Sequence, residues 1–372
     1  MSQVSLLLLA SCACDKALTK GETERQGRQL VAQWKDSLRT VLADVYANRE
    51  IRDGDLVMPL AWTVFASDGT EDLALYISLH GGGGAPAPLN DQQWHNQQRL
   101  YRPHDAVYLC PRAPFNTWDL HFRPELDAFY TRIVQMATVF LNVNPDKVYL
   151  MGYSAGGDGV WRLAPRMADS WAAASMMAGH PGDVSLVGLR NTPFMIWCGA
   201  DNVAYNRNHE CEARIVVMDS LHRDDPGGYI FEGHIVEGKG HWMDRVDAAA
   251  IGWMEKYKRD PYPRKVVWRQ EEVLRPNFYW LSAPKDEMER GKTVRLERTG
   301  NEILITQCDY TSLTLYFNDE MMNLDKPVII RYGDKTLFKG KLKRTKENLK
   351  NTLDVRGDYR YMFPASVQVK LN

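Results

Sequence analysis

Between Glu24 and Asn48 the apolar residues Leu30, Trp34, Leu38, Val41, Leu42 and Val45 recur at spacings of three and four, and polar residues fill most of the rest. That period places them on one face and predicts an amphipathic packing helix over 24–48. Thr23 and Gln26 stand in capping-box spacing at its start. From residue 57 the pattern changes to short, nearly continuous apolar runs at 60–65, 73–79, 106–110, 148–151, 171–177, 194–198 and 229–236. Asp68-Gly69-Thr70 is a turn signal between the first two. Phe129, Ile133, Met136, Val139 and Phe140 mark a helix over 125–141. Strands apolar on both sides, alternating with helices, predict an α/β fold: a mostly parallel sheet with helices on both faces.

After residue 257 the texture differs. Lys258-Arg259-Asp260-Pro261-Tyr262-Pro263-Arg264 has two prolines, charges and no period, which reads as a linker. Beyond it, short and roughly alternating runs at 266–268, 278–281, 293–296, 302–307, 312–317, 328–332, 337–342 and 365–371 predict strands. Tyr332-Gly333-Asp334-Lys335 has the form of a hairpin turn. Helical pattern is scarce here, so a small all-β, sandwich-like C-terminal domain over 264–372 is expected behind an α/β domain over 23–258.

A chain of 372 residues allows two domains, and 44 % hydrophobic with 25 % charged residues excludes whole-chain disorder. The formal net charge is −1. Residues 264–372 carry an excess of six positive charges, which leaves −7 on the rest. A balance this close to neutral supplies no global attraction for nucleic acid or anionic lipid, and no apolar run reaches a membrane-spanning length. Six scattered cysteines do not make a disulfide scaffold, and Cys110 and Cys198 lie in apolar runs as expected of buried thiols. Residues 1–22 are read as a leader or an unstructured start. Leu9-Ala10-Ser11-Cys12 resembles a bacterial lipoprotein box, which implies export and a lipid anchor on Cys12. The short apolar stretch and the lack of Lys or Arg in Met1-Ser2-Gln3 favour a frayed terminus instead. Location therefore stays open between extracytoplasmic and cytoplasmic.

The chemistry concentrates in the first part. Gly152-Tyr153-Ser154-Ala155-Gly156 follows an apolar run and precedes a potential helix. This is the strand-to-helix turn that holds a serine above a sheet, with glycines permitting close backbone approach. His80-Gly81-Gly82-Gly83-Gly84 also follows a run, where a glycine loop can bring N–H donors to an oxyanion. Serine needs a base. His241, in Gly240-His241-Trp242 after the last run of the parallel region, is the first candidate, with His180 and His209 as rivals. Asp201, at the end of the run 194–198, is the expected orienting carboxylate, with Asp183, Asp244 and Asp247 as its rivals. There is no H-E-x-x-H and no C-x-x-C pair, so no metal is expected.

On these residues the stretch 57–257 resembles the α/β-hydrolase superfamily. Within it, the stretch is similar to serine esterases of the polyhydroxybutyrate-depolymerase, carbohydrate-esterase family 1 and prolyl-oligopeptidase-like groups. The resemblance implies a Ser154–His241–Asp201 triad without a cofactor. It implies an oxyanion hole from the N–H of Ala155 and of Gly81 or Gly82. Pro111-Arg112-Ala113-Pro114-Phe115-Asn116-Thr117-Trp118 is similar to a loop that borders the cleft in such enzymes, which implies substrate contacts from Trp118, Trp242 and Tyr153. The implied substrate is a small or polysaccharide-linked carboxylic ester. A serine peptidase is the alternative, as is a hydrolase fold used as an inactive binding module.

Overall fold

The computed structural model describes residues 16–67 and 69–371. The Cys12 box and Asp68 of the expected turn lie outside the described residues. The first sheet contains β1 (Glu50–Asp53), β2 (Leu56–Phe65), β3 (Leu73–Leu79), β4 (Ala106–Pro111), β5 (Val143–Tyr153), β6 (Ala173–Met177), β7 (Phe194–Gly199) and β8 (Phe231–Val236). They lie in the order β1-β2-β4-β3-β5-β6-β7-β8. β2 runs antiparallel to β1 and β4, and β3 to β8 are parallel. This is the strand order of the α/β-hydrolase fold.

Both faces of the sheet are buried, which explains the near-continuous apolar runs. On β3, Leu75, Ile77 and Leu79 join Ile133 and Met136 of α4 (Leu126–Phe140) and Val160 of α5 (Ala155–Arg166). Tyr76, one residue out of phase, packs on the other face with Tyr108, Tyr149 and Trp253. Each fully buried side chain of this size contributes about 1.5–3 kcal/mol relative to exposure.

The N-terminal helix begins earlier than its apolar stripe suggests. α1 (Lys20–Val41) is capped by Thr19, whose side chain takes the Glu22 N–H while Glu22 takes the Thr19 N–H. Thr23 instead lies inside the helix and donates its hydroxyl to the Thr19 carbonyl at 2.8 Å. A break at Leu42 separates α1 from α2 (Ala43–Asn48) and leaves Val41 69 % exposed, off the expected buried face. Leu30 packs on Leu349 and Leu353, far along the chain.

The remaining helices of the first part are α3 (Ala87–Gln97), α6 (Arg207–Asp224) and α7 (Ala249–Met254). Among the described residues no helix is long and apolar enough to cross a membrane.

The C-terminal part holds β9 (Lys265–Arg269), β10 (Asn277–Phe278), β11 (Leu281–Ser282), β12 (Thr293–Thr299), β13 (Glu302–Cys308), β14 (Ser312–Phe317), β15 (Val328–Tyr332), β16 (Lys335–Gly340), α8 (Lys346–Arg356) and β17 (Ala365–Lys370). Two sheets, β10-β11-β14-β17 and β16-β15-β13-β12-β9, face a shared core that includes Trp268, Leu296, Ile305, Leu313 and Phe317. The expected strand over 278–281 is two short strands, because Tyr279 turns the chain with a φ of 49°. The Tyr332–Lys335 hairpin is present, with β15 and β16 antiparallel across it. The stretch 258–264, read as a linker, is clamped in place: buried Arg259 pairs with Asp146 at 2.8 Å and with Asp358 at 2.7 Å.

Candidate active site

Parallel strands end together, so the loops after β3, β5, β7 and β8 converge on one edge of the sheet. Ser154 sits between β5 and α5 with φ 58° and ψ −121°, a conformation that costs of order 1–3 kcal/mol and persists only when its surroundings enforce it. They do so by close approach. A Cβ on Gly152 would run into the Gly156 carbonyl, and one on Gly156 would meet the Leu79 carbonyl. The Ser154 N–H donates to the Met177 carbonyl at 2.9 Å.

The Ser154 hydroxyl lies 2.9 Å from Nε2 of His241. The histidine loop after β8 is held from below by Tyr153, whose hydroxyl donates to the His241 carbonyl at 2.6 Å and accepts the Met243 N–H at 3.1 Å. Tyr153, expected at the substrate, is thus a buried support for the His241 loop, and its ring reaches only one side of the cleft.

The partner of Nδ1 differs from the expectation. Nδ1 of His241 meets Oδ1 of Asn202 at 3.3 Å. Asn202 is buried, and its amide also donates to Sγ of Cys198 at 3.6 Å. Asp201 is exposed, and among the described residues its carboxylate makes no hydrogen bond or ion pair. The reason lies in the turn after β7. The Asp201 N–H donates to the Lys239 carbonyl at 2.8 Å and the Asn202 N–H to the Gly199 carbonyl at 3.1 Å, which turns Asn202 inward and Asp201 out.

The rival carboxylates and histidines are engaged away from the serine. Asp183 pairs with Arg162 and Arg290, Asp244 with Lys239, and Asp247 accepts the Tyr101 hydroxyl in the core. His209 is exposed beside Glu212 at 3.2 Å. His180 lines the cleft, but its Nδ1 accepts the Gly182 N–H at 3.0 Å.

The glycine loop after β3 passes directly over the serine. A Cβ on Gly81 would lie 3.3 Å from that of Ser154, and Gly82 and Gly83 have φ of 111° and 104°, open to glycine alone. Among the described residues no group accepts the N–H of Gly82 or of Ala155, the first residue of α5.

Two buried side chains hold this loop: Asn90, which carries no sequence signal, and His80, the first residue of the glycine stretch itself. Asn90 accepts the Gly83 N–H at 3.0 Å and donates to the carbonyls of Gly83 and Ala85 and to Asn116. His80 accepts the Ala113 N–H on Nε2 at 3.2 Å, which leaves its proton on Nδ1, 2.6 Å from the Gly81 carbonyl. Burial pushes His80 down to about 4, so it stays neutral.

The cleft has two lobes of about 490 and 620 Å³ that meet at Ser154 and His241. Trp118, 64 % exposed, walls the first and Trp242, 48 % exposed, the second. Among the described residues no three or more His, Cys, Asp or Glu side chains are grouped to hold a metal.

Desolvation, and then the Arg207 guanidinium, hold His241 below the ordinary imidazole value. Since only the neutral ring can accept a proton, any reaction in which His241 takes the Ser154 proton should rise with pH through a midpoint below about 6.5 and then level off. The check is kcat/KM for an activated ester from pH 4 to 9. A midpoint above that value would show that the ring carries a stabilised positive charge in the free protein.

No family model and no curated protein matches the chain. Solved structures do. A thermostable esterase matches at 21 % identity over 56 % of this chain and 62 % of its own, with a TM-score of 0.43. A fluorophosphonate-binding serine hydrolase from Staphylococcus aureus matches at 16 % identity over 55 % and 96 %, with a TM-score of 0.38. A poly(3-hydroxybutyrate) depolymerase from Bordetella parapertussis matches at 16 % over 55 % and 90 %, also at 0.38. The chain therefore spans less than two thirds of the first of these.

Proposed function

We infer that the protein is a serine hydrolase that cleaves carboxylic esters through an acyl-enzyme. The observation that carries this reading is the 2.9 Å approach of the Ser154 hydroxyl, held in a strained turn, to Nε2 of His241. Ser154 Oγ attacks the ester carbonyl carbon as its proton passes to Nε2. The carbonyl oxygen becomes an oxyanion that accepts the N–H of Ala155 and of Gly82. Collapse breaks the bond to the alcohol, which leaves with the proton from Nε2. Water then attacks the acyl-serine, with His241 again taking and returning a proton.

Asn202 accepts the Nδ1–H and so selects the tautomer with a free Nε2 lone pair. As a neutral amide it orients the ring without the charge that a carboxylate would add to stabilise the imidazolium. That combination, a positioned base of low basicity, suits esters, whose alcohol leaves more readily than an amine. The exposed indoles of Trp118 and Trp242 offer flat apolar surfaces to the rings of an acyl group or sugar.

The test is a matched pair with the same acyl group, one a 4-nitrophenyl ester and the other a 4-nitroanilide. Turnover of the ester with little of the anilide is expected. Comparable turnover of both would favour the peptidase, and turnover of neither would favour a binding module.

A further inference from the structure

The cleft around Ser154 carries a charge opposite to that of the region that builds it. Residues before 264 sum to −7, yet the two lobes are lined by Arg162, Arg207, Arg99 and Arg245 against one carboxylate, Asp158. Asp158 is held in place, one oxygen accepting the His180 N–H at 2.6 Å, and burial favours its neutral form. Arg162 is already paired with Asp183 at 2.7 Å. Arg99, Arg207 and Arg245 have no carboxylate within ion-pairing distance among the described residues.

Arg207 is the most constrained of the three. It starts α6, its guanidinium lies 4.7 Å from the Tyr205 ring centroid, and it donates to the Ala204 carbonyl at 3.3 Å. Its Nε is buried without a partner. A cleft-lining guanidinium with no carboxylate within ion-pairing distance is a vacant half of a charge-assisted hydrogen-bonded pair. Low-dielectric walls of one sign also concentrate a counter-charged substrate.

Resting on the esterase reading, we propose that the preferred substrates are esters that carry a carboxylate on the acyl or the alcohol side, bound by Arg207 with Arg99 and Arg245 supplying attraction at the rim. Two pairs of esters test this. One is 4-nitrophenyl hemisuccinate against 4-nitrophenyl butyrate, and the other is 4-acetoxybenzoate against phenyl acetate. Each is read as kcat/KM divided by its rate with hydroxide.

In at least one pair the carboxylate-bearing ester should be favoured about tenfold at low ionic strength, and the preference should shrink as added salt shortens the Debye length below about 10 Å. Arg207→Gln should lower that preference roughly tenfold, as expected for the loss of a hydrogen bond to a charged group. The ratio is read within one variant at one pH, so a change in His241 basicity cancels. Arg207→Gln should also raise the pH midpoint of acylation, which a purely structural role would not do.

Hydrolysis of all four esters with no preference in either pair would overturn the proposal and leave the esterase intact. Hydrolysis of none would overturn the esterase reading itself. A preference that survives in Arg207→Gln, Arg99→Gln and Arg245→Gln together would show that these arginines are not its source.

Discussion

Ser154→Ala is expected to lower kcat on an activated ester by about 10⁶, the scale of nucleophile deletion in serine hydrolases. The expectation follows from the geometry at the end of β5. The hydroxyl is the group that His241 Nε2 faces at 2.9 Å, and the backbone that presents it is fixed by Gly152 and Gly156 rather than by the side chain. Removing one oxygen should therefore leave the turn, the cleft and the fold in place. Steady-state kinetics with folding checked by circular dichroism decide the matter. A folded Ser154→Ala that retains activity within about tenfold of the parent would mean that His241 activates water directly or that the chemistry lies elsewhere.

The second large effect separates two adjacent residues. Asn202→Ala is expected to lower kcat by roughly 10–100-fold, because the loss of the hydrogen bond to Nδ1 frees the ring and its tautomer. Asp201→Asn should cost less than about threefold, since that carboxylate points to solvent and any field it exerts on His241 is screened. Asn202→Asp supplies the distinguishing measurement. A carboxylate at that buried position would stabilise the imidazolium, so the rising limb of the pH profile should move to higher pH. A loss of about 10⁴ in Asp201→Asn, with Asn202→Ala near normal, would instead mean that the loop turns Asp201 onto the histidine in solution.

Sequence pattern located the sheet well because both of its faces are buried. β3 coincides with its apolar run, and β4 and β7 extend theirs by one residue. Helices with weak stripes escaped. α6 buries only Asn208, Cys211 and Met218 while Val216 stays 65 % exposed, so no face stands out along its sequence. α8 buries just Leu349, Thr352 and Leu353, and part of that surface is covered by Leu30 of α1, a contact that local periodicity does not encode.

In the site, the motifs around Ser154, the glycine loop and His241 were legible because each is a local solution to a backbone problem. Asn202 was not. Asp201 and Asn202 are neighbours at a strand end, and which one faces the histidine is set by the Asp201 N–H reaching Lys239 on the next loop. Asn90 was hidden for the same reason: its importance is the set of loop groups it gathers, from Gly83 to Asn116, and not its place on α3.

The most direct measurement is intact-protein and peptide mass spectrometry after reaction with a fluorophosphonate, with Ser154→Ala and His241→Ala as companions. A single phosphonyl adduct on the peptide containing Ser154 is expected in the parent, none in Ser154→Ala, and greatly slowed labelling in His241→Ala. An adduct on another residue, or equal labelling of the parent and His241→Ala, would contradict a serine nucleophile activated by this histidine.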